Sequence, residues 1–203
     1  DWRKWWEAVR KELKKDGHFR VPVKKSNPIE FNEEVTSLQD RLLGDLRAAR
    51  GLKAKLAVAV ELLKSQDDLE NVTEAFQESM DILDAEIPNY LKNQPELVLD
   101  AIFARNDLRE GLRIEPIEGQ IEDAKVWEQV NDLATFMDAL PATRNKLALR
   151  SYKPHHPDTW EDDFYDLLNK SQMKLVGEIV QLLIDEDRQD SVKETLLKLV
   201  NQH

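Results

Sequence analysis

Four histidines and one run of carboxylates are the residues whose types could carry acid–base or metal chemistry in this chain. His155 and His156 sit together in the Pro154-His155-His156-Pro157 segment. Adjacent positions aim side chains in different directions, whereas a helix-borne metal pair needs a spacing of three or four. Glu161, Asp162, Asp163 and Asp166 cluster beside Trp160, yet they lack the Gly-containing spacing of a calcium loop. Acids in a first helical turn are favoured by the macrodipole, and that is the preferred reading here. With no cysteine there is no thiol nucleophile, disulfide or thiolate metal site, which fits a reducing, cytoplasmic setting. No serine lies in a G-x-S-x-G elbow. The Gly51-Leu52-Lys53-Ala54-Lys55 stretch, near Arg47 and Arg50, could meet an anion at a helix start. It does not have the phosphate-loop pattern, and a solvated basic corner is the stronger reading. The expectation is a protein that is not an enzyme and carries no cofactor, metal or evident small-molecule substrate.

The residues left for recognition are aromatic and basic. Trp2, Trp5 and Trp6 interleave with Arg3 and Lys4, and Lys14, Lys15, Lys24 and Lys25 follow. Residues 1–30 hold nine Lys or Arg against five acids, while the whole chain carries a net charge of −11. The acidic remainder repels a nucleic-acid backbone, and the basic head could meet either nucleic acid or an acidic protein surface. The bland alternative is a solvated helix face. For the three tryptophans, core packing is the first reading, docking of a protein partner the second, and stacking on single-stranded nucleic acid the third. Positions 5 and 6 lie about 100° apart on a helix. All three indoles therefore cannot share one narrow seam, and one is expected to cover the extended segment near Phe19 or Val21. The candidate partner-binding set is Trp2, Trp5, Trp6, Lys14, Lys15, Lys24 and Lys25.

The elements that position these groups are almost all helices. Of the 203 residues, 41% are hydrophobic and 34% charged, with only 6 Gly. Such a composition suits one or two packed soluble units. Trp2, Trp5 or Trp6, Val9 and Leu13 recur at helical spacing, and Gly17 follows as a stop. From Phe19 to Phe31, alternation with Pro22 and Pro28 indicates a short hairpin or an extended strap. Stripes at three and four then define helices beginning near Leu38, Leu52 and Leu69, the last expected to break or kink at Pro88. Pro95 opens another helix. A loop at 111–119 precedes a long helix expected over 121–140. Pro141 begins the next, and three more run from Trp160, Met173 and Ser191. No sustained heptad pattern appears, and no apolar run approaches the roughly 20 residues of a membrane span. The fold class is all-α: about nine or ten amphipathic helices in antiparallel pairs, an α-solenoid of HEAT or TPR type or an irregular bundle, after an extended N-terminal segment. The expected division is 1–35 for the Trp/Lys-rich head and 36–203 for the acidic helical domain. With Asp1 rather than Met at its start and no signal-peptide pattern after it, the chain is expected to be a piece of a longer protein.

The order of these segments resembles a known family. Trp2-Arg3-Lys4-Trp5-Trp6 with Leu13-Lys14-Lys15-Asp16, then Phe19-Arg20-Val21-Pro22-Val23-Lys24-Lys25, is similar to a region of large bacterial proteins that end in a Gre-type transcription elongation factor domain. Ala49 to Lys55, Ala101 to Arg109, Lys174 to Ile179 and Val200 to His203 resemble the same proteins' helical extension. The resemblance implies association with RNA polymerase. The cleavage of backtracked RNA that such factors promote depends on acids at a coiled-coil tip, and no segment here matches that hairpin. No catalytic residue carries over. The resemblance therefore implies an accessory, non-enzymatic scaffold that assists polymerase association, with nucleic-acid binding by the basic head as the alternative.

Overall fold

The computed structural model describes residues 1–22, 26–31, 36–170 and 173–200. Among these are eleven α-helices, two short 3-10 turns and a single pair of two-residue strands, so the chain is all-α with an irregular bundle arrangement. The chain forms two compact units. One comprises Asp1–Glu86 and Phe103–Gln120, and the other Ile87–Ile102 and Ile121–His203.

The first unit opens with α1 (Trp2–Lys15). Strands β1 (Phe19–Arg20) and β2 (Glu30–Phe31) follow, antiparallel, with Phe19 opposite Phe31 and Arg20 opposite Glu30. The alternating Pro-bounded segment thus makes the hairpin rather than the strap. Ser37 caps α2 (Leu38–Ala48) by accepting from Asp40 N at 3.0 Å. Gly51, at φ 79°, starts α3 (Leu52–Lys64). A side chain would be strained in that left-handed conformation. The two helices pack together, burying Leu42, Leu43 and Leu46 of α2 and Leu52, Leu56, Ala59 and Leu62 of α3. Each such leucine contributes about 1.5–3 kcal/mol. On α3 Leu62 is fully buried and the neighbouring Leu63 only partly so.

Helix α4 (Val72–Tyr90) gives this unit Phe76, Met80 and Leu83, all buried. Pro88 does not end α4. It removes one hydrogen bond in the final turn, and the helix closes two residues later. Helix α5 (Pro95–Leu112) starts at its proline as expected and supplies Phe103 and Leu108 to the same unit. Inside lies a polar network. The wholly buried Arg105 donates to Asp84 Oδ1 at 2.7 Å, and Gln120 donates to Asp84 Oδ2 at 2.5 Å. Gln120 also accepts from Arg109 at 2.6 Å.

In the second unit, the long helix expected over 121–140 is two short ones, α6 (Asp123–Trp127) and α7 (Leu133–Ala139). Asp132 divides them. Its carboxylate accepts from Ala134 N at 3.1 Å and from Thr135 Oγ1 at 2.8 Å. This local cap outcompetes helix continuation. Helix α8 (Asn145–His155) runs through Pro154 and closes at His155, so only His156 and Pro157 of the Pro154-His155-His156-Pro157 segment lie outside it. Helices α9 (Trp160–Lys170), α10 (Met173–Asp185) and α11 (Gln189–Val200) complete the unit. Helix α10 packs on α8, α9 and α11, while α6 lies on α8 and α7 on α9. Trp127, Phe136, Tyr152 and Phe164 form its aromatic core.

Candidate interaction surface

Helix α1 separates apolar from charged residues along its sequence, and it is oriented against that separation. At about 100° per residue, Trp2, Trp5, Trp6, Val9 and Leu13 fall within an arc of about 100°, with Arg10, Lys11, Lys14 and Lys15 across the cylinder. The one buried residue of this fully described helix is Arg10, which donates from Nη2 to Pro22 O at 2.8 Å. Lys14 pairs with Glu61 of α3, and Lys15 meets Asp68 at 2.9 Å. The hydrogen bond to Asp68 raises the Lys15 amine above its ordinary value. Arg41 of α2 donates to the carbonyls of Lys14 and Phe19. The charged side of α1 thus faces its own unit across a cleft of about 290 Å³ whose lining includes Glu7, Lys11, Lys64 and Asp68.

The core-packing reading of the tryptophans is overturned for two of them: Trp2 is 71% exposed and Trp5 53%. Trp6 is half-buried. The indoles instead pack on one another. Trp2 and Trp5 have centroids 4.8 Å apart, and Trp2 and Trp6 stack at 6.2 Å with planes 3° from parallel. Trp5, Ala8, Val9, Glu12 and Leu13 border an open trough of about 680 Å³ along the helix. The expected cover over Phe19 comes from another ring: Phe31 packs edge-on to Phe19 at 5.5 Å and stacks with His18 at 5.8 Å. Asp16 secures this corner by accepting from His18 N at 3.0 Å. That bond, followed by the His18 side chain, holds its carboxyl below the ordinary carboxylate value.

Of the candidate partner-binding residues, the structure therefore brings Trp2, Trp5 and Trp6 together on an outward stripe and pairs Lys14 and the still exposed Lys15 with acids. Lys24 and Lys25 lie outside the described residues. Two cations of the basic corner near Gly51 are engaged: Arg47 grips Glu78 with two bonds of 2.5 and 2.6 Å, and Lys55 pairs with Glu86, while Arg50 and Lys53 are exposed.

The ionisable groups of the second unit fasten helices. His155 Nε2 lies 3.3 Å from Asp123 Oδ1, while His156 stacks on Tyr152 at 3.8 Å, so the two histidines diverge. Glu161 binds Arg188 at 2.9 Å, and Asp163 accepts from Tyr152 Oη at 2.7 Å. Sequence reading missed one grouping. Ser151 donates to Asp123 Oδ2 at 2.5 Å and accepts from Trp127 Nε1 at 2.8 Å, beside the His155–Asp123 pair. The i, i+4 spacing of Ser151 and His155 was its signal. Both contact Asp123, the reverse of a nucleophile bonded to its base. Among the described residues no group of three or more acids or histidines could hold a metal ion, and no helix is long and apolar enough to cross a membrane.

Residues 1–36 match the family model described as the GRAD helix-turn-helix domain, and residues 38–203 match the GreA-associated C-terminal domain. No curated protein and no solved structure gives a significant match. The resemblance to the helical extension of Gre-type factors agrees with both family matches, and the chain belongs to the GreA-associated C-terminal domain family.

Proposed function

We propose that this Gre-associated helical module is a non-enzymatic scaffold that assists the association of a Gre-type elongation factor with RNA polymerase in the cytoplasm. The match of residues 38–203 to the GreA-associated domain carries the reading. The roles of the reactive side chains support it. Asp123, His155, Glu161 and Asp163 each tie one helix to another or to a loop, as a rigid shaped exterior requires.

The test is capture of purified core polymerase by residues 1–203, with the double charge reversal Arg3→Glu/Lys4→Glu as the comparison. Capture by the unmodified chain, weakened severalfold by the reversal, is the expected result. A folded chain that captures no polymerase while its parent factor does would overturn direct docking.

The helix-turn-helix match favours a second reading, nucleic-acid binding by the basic N-terminal segment. Its prediction is affinity for a labelled duplex that falls steeply with salt. The geometry weighs against it. Arg10, Lys14 and Lys15 contact Pro22, Glu61 and Asp68, so these three cations are engaged by the unit itself.

A further inference from the structure

We infer that two oppositely charged apolar patches of the first unit, the Trp2–Trp5 end of α1 and the Ile114–Ile117 loop that follows α5, bind each other between copies of this chain, head to tail.

Trp2, Trp5, Ile114 and Ile117 are four of the seven large hydrophobic residues that stand exposed among the described residues. They fall in two places, and both belong to the first unit. At the first, Trp2 and Trp5 pack on each other while reaching solvent. Arg3 and Lys4 lie exposed between them in sequence, and no acid occurs from Trp2 to Trp6. Neither cation has an ion-pair partner among the described residues. Glu12 and Asp16 come about two and three turns beyond Trp5, so the tryptophan end is the basic end. At the second place, Ile114 and Ile117 flank Pro116, with Glu110, Glu115 and Glu118 exposed around them. Arg113 is the one cation from Glu110 to Gly119. Apolar residues scattered singly on a surface are ordinary, whereas a cluster with a charged rim marks a contact. These two clusters have rims of opposite sign, which suits them to each other. Within one copy both stay uncovered, which leaves the complement of each on a second copy.

The loop is held ready for such a contact. Arg113 has φ 55° and Gly119 φ 88°. Left-handed backbone at a non-glycine residue persists only where its surroundings fix it. At one end of the loop, Ile114 N donates to Arg109 O at 3.3 Å. At the other, the Gln120 carboxamide accepts from Ile117 N at 3.3 Å and donates to Asp84 at 2.5 Å. The loop is thereby tied to the Asp84–Arg105 pair, and a segment ordered beforehand gives up less entropy on docking. The isoleucines have room beside the indoles, where the trough of about 680 Å³ runs past Ala8 and Val9. Because the two faces differ, the contact repeats from copy to copy rather than closing on a two-fold axis. Indoles bury about 150–250 Å² apiece, so a contact of two indoles and two isoleucines falls below the roughly 1,200 Å² of stable interfaces and is a weak one. The net charge of −11 per copy opposes it further, and salt screens that repulsion.

Sedimentation velocity of residues 1–203 at about 0.15 M salt tests this, from about 1 μM to about 1 mM, the range of weak contacts. The average mass is expected to climb past two copies. Trp5→Asp and Ile117→Asp, each with an unaltered circular-dichroism spectrum, are each expected to stay at the mass of one chain. Mixed one to one, they are expected to pair and to stop at two copies, since one supplies an intact loop and the other an intact stripe. In that mixture, Lys4→Glu on the Ile117→Asp chain should weaken pairing severalfold. Glu118→Lys on the Trp5→Asp chain should then regain most of the loss. A parent chain that stays single across the range would overturn the inference. Association of Ile117→Asp alone would do so too, because the stripe would then bind itself. So would a mixture that fails to pair. None of these readouts involves polymerase, so the docking reading is tested separately.

Discussion

The guanidinium of Arg10 donates to the carbonyl of Pro22 at 2.8 Å, so the one buried side chain of α1 is a charged one, anchored to the segment just after β1. A hydrogen bond from a charged donor contributes about 1.5–3 kcal/mol, more than a neutral one, because the ion strengthens it. Together with the Lys14–Glu61 and Lys15–Asp68 pairs, it sets which way the helix rolls, and with it the outward direction of the tryptophans.

Replacing Arg10 by methionine keeps most of the stem and removes the donor. Amide exchange across α1 and the hairpin is expected to accelerate, by an amount corresponding to about 1–3 kcal/mol of lost local protection. Helices α2 and α3 should exchange as before. Unaltered exchange in α1 would show that Lys14 and Lys15 alone hold the helix.

Asp84 and the fully buried Arg105 form the most sensitive pair of the first unit. Asp84→Asn keeps the shape and takes a negative charge away from the guanidinium. Removing one member of a buried pair costs about 3–5 kcal/mol. Chemical denaturation should show a loss of that order. The control is Asp166→Asn, at an exposed pair 3.6 Å from Lys170. It should change stability by less than about 1 kcal/mol.

Tyr152 is held protonated, first by burial and then by its bond to Asp163, which raises its ionisation above the ordinary value of 10.0. The folded state therefore keeps this proton where the unfolded chain loses it. Its contribution is complete below the unfolded value and declines as pH rises past about 10. In a spectroscopic titration, Tyr152 should ionise only with alkaline unfolding, and Tyr152→Phe should reduce the steepness of that stability loss. Ionisation of Tyr152 near pH 10 in the folded chain would contradict this.

Asp16 behaves in the opposite sense. Its lowered value means that its contribution is present above the unfolded carboxylate value of 3.8 and is lost as pH falls through the lower folded one. Amide exchange at His18 should quicken on that acid side. Asp16→Asn should flatten the dependence between about pH 5 and 2.

The helices were legible because amphipathic periodicity is a local property. Leu42 and Leu46, Phe76 and Met80, Phe164 and Leu168 sit on buried faces as their spacing implied. The break between α6 and α7 was written in Asp132 and Thr135 as well. A cap inside an apolar pattern competes with that pattern. Here the carboxylate, with the three hydrogen bonds donated to it, prevailed. The anchoring roles of Ser151, Asp123 and His155 were less accessible, because partners 28 residues apart meet only once α6 lies against α8.

By itself, then, the sequence determined the all-α class, most helix bounds, the basic head and the family resemblance, since each rests on residues close together along the chain. Tertiary structure alone decided the roll of α1. The sequence marks Trp2, Trp5, Val9 and Leu13 as one face, but a helix carries its faces equally well in any orientation. Glu61 and Asp68, far downstream in the chain, settle the matter by attracting Lys14 and Lys15 and turning the apolar face outward.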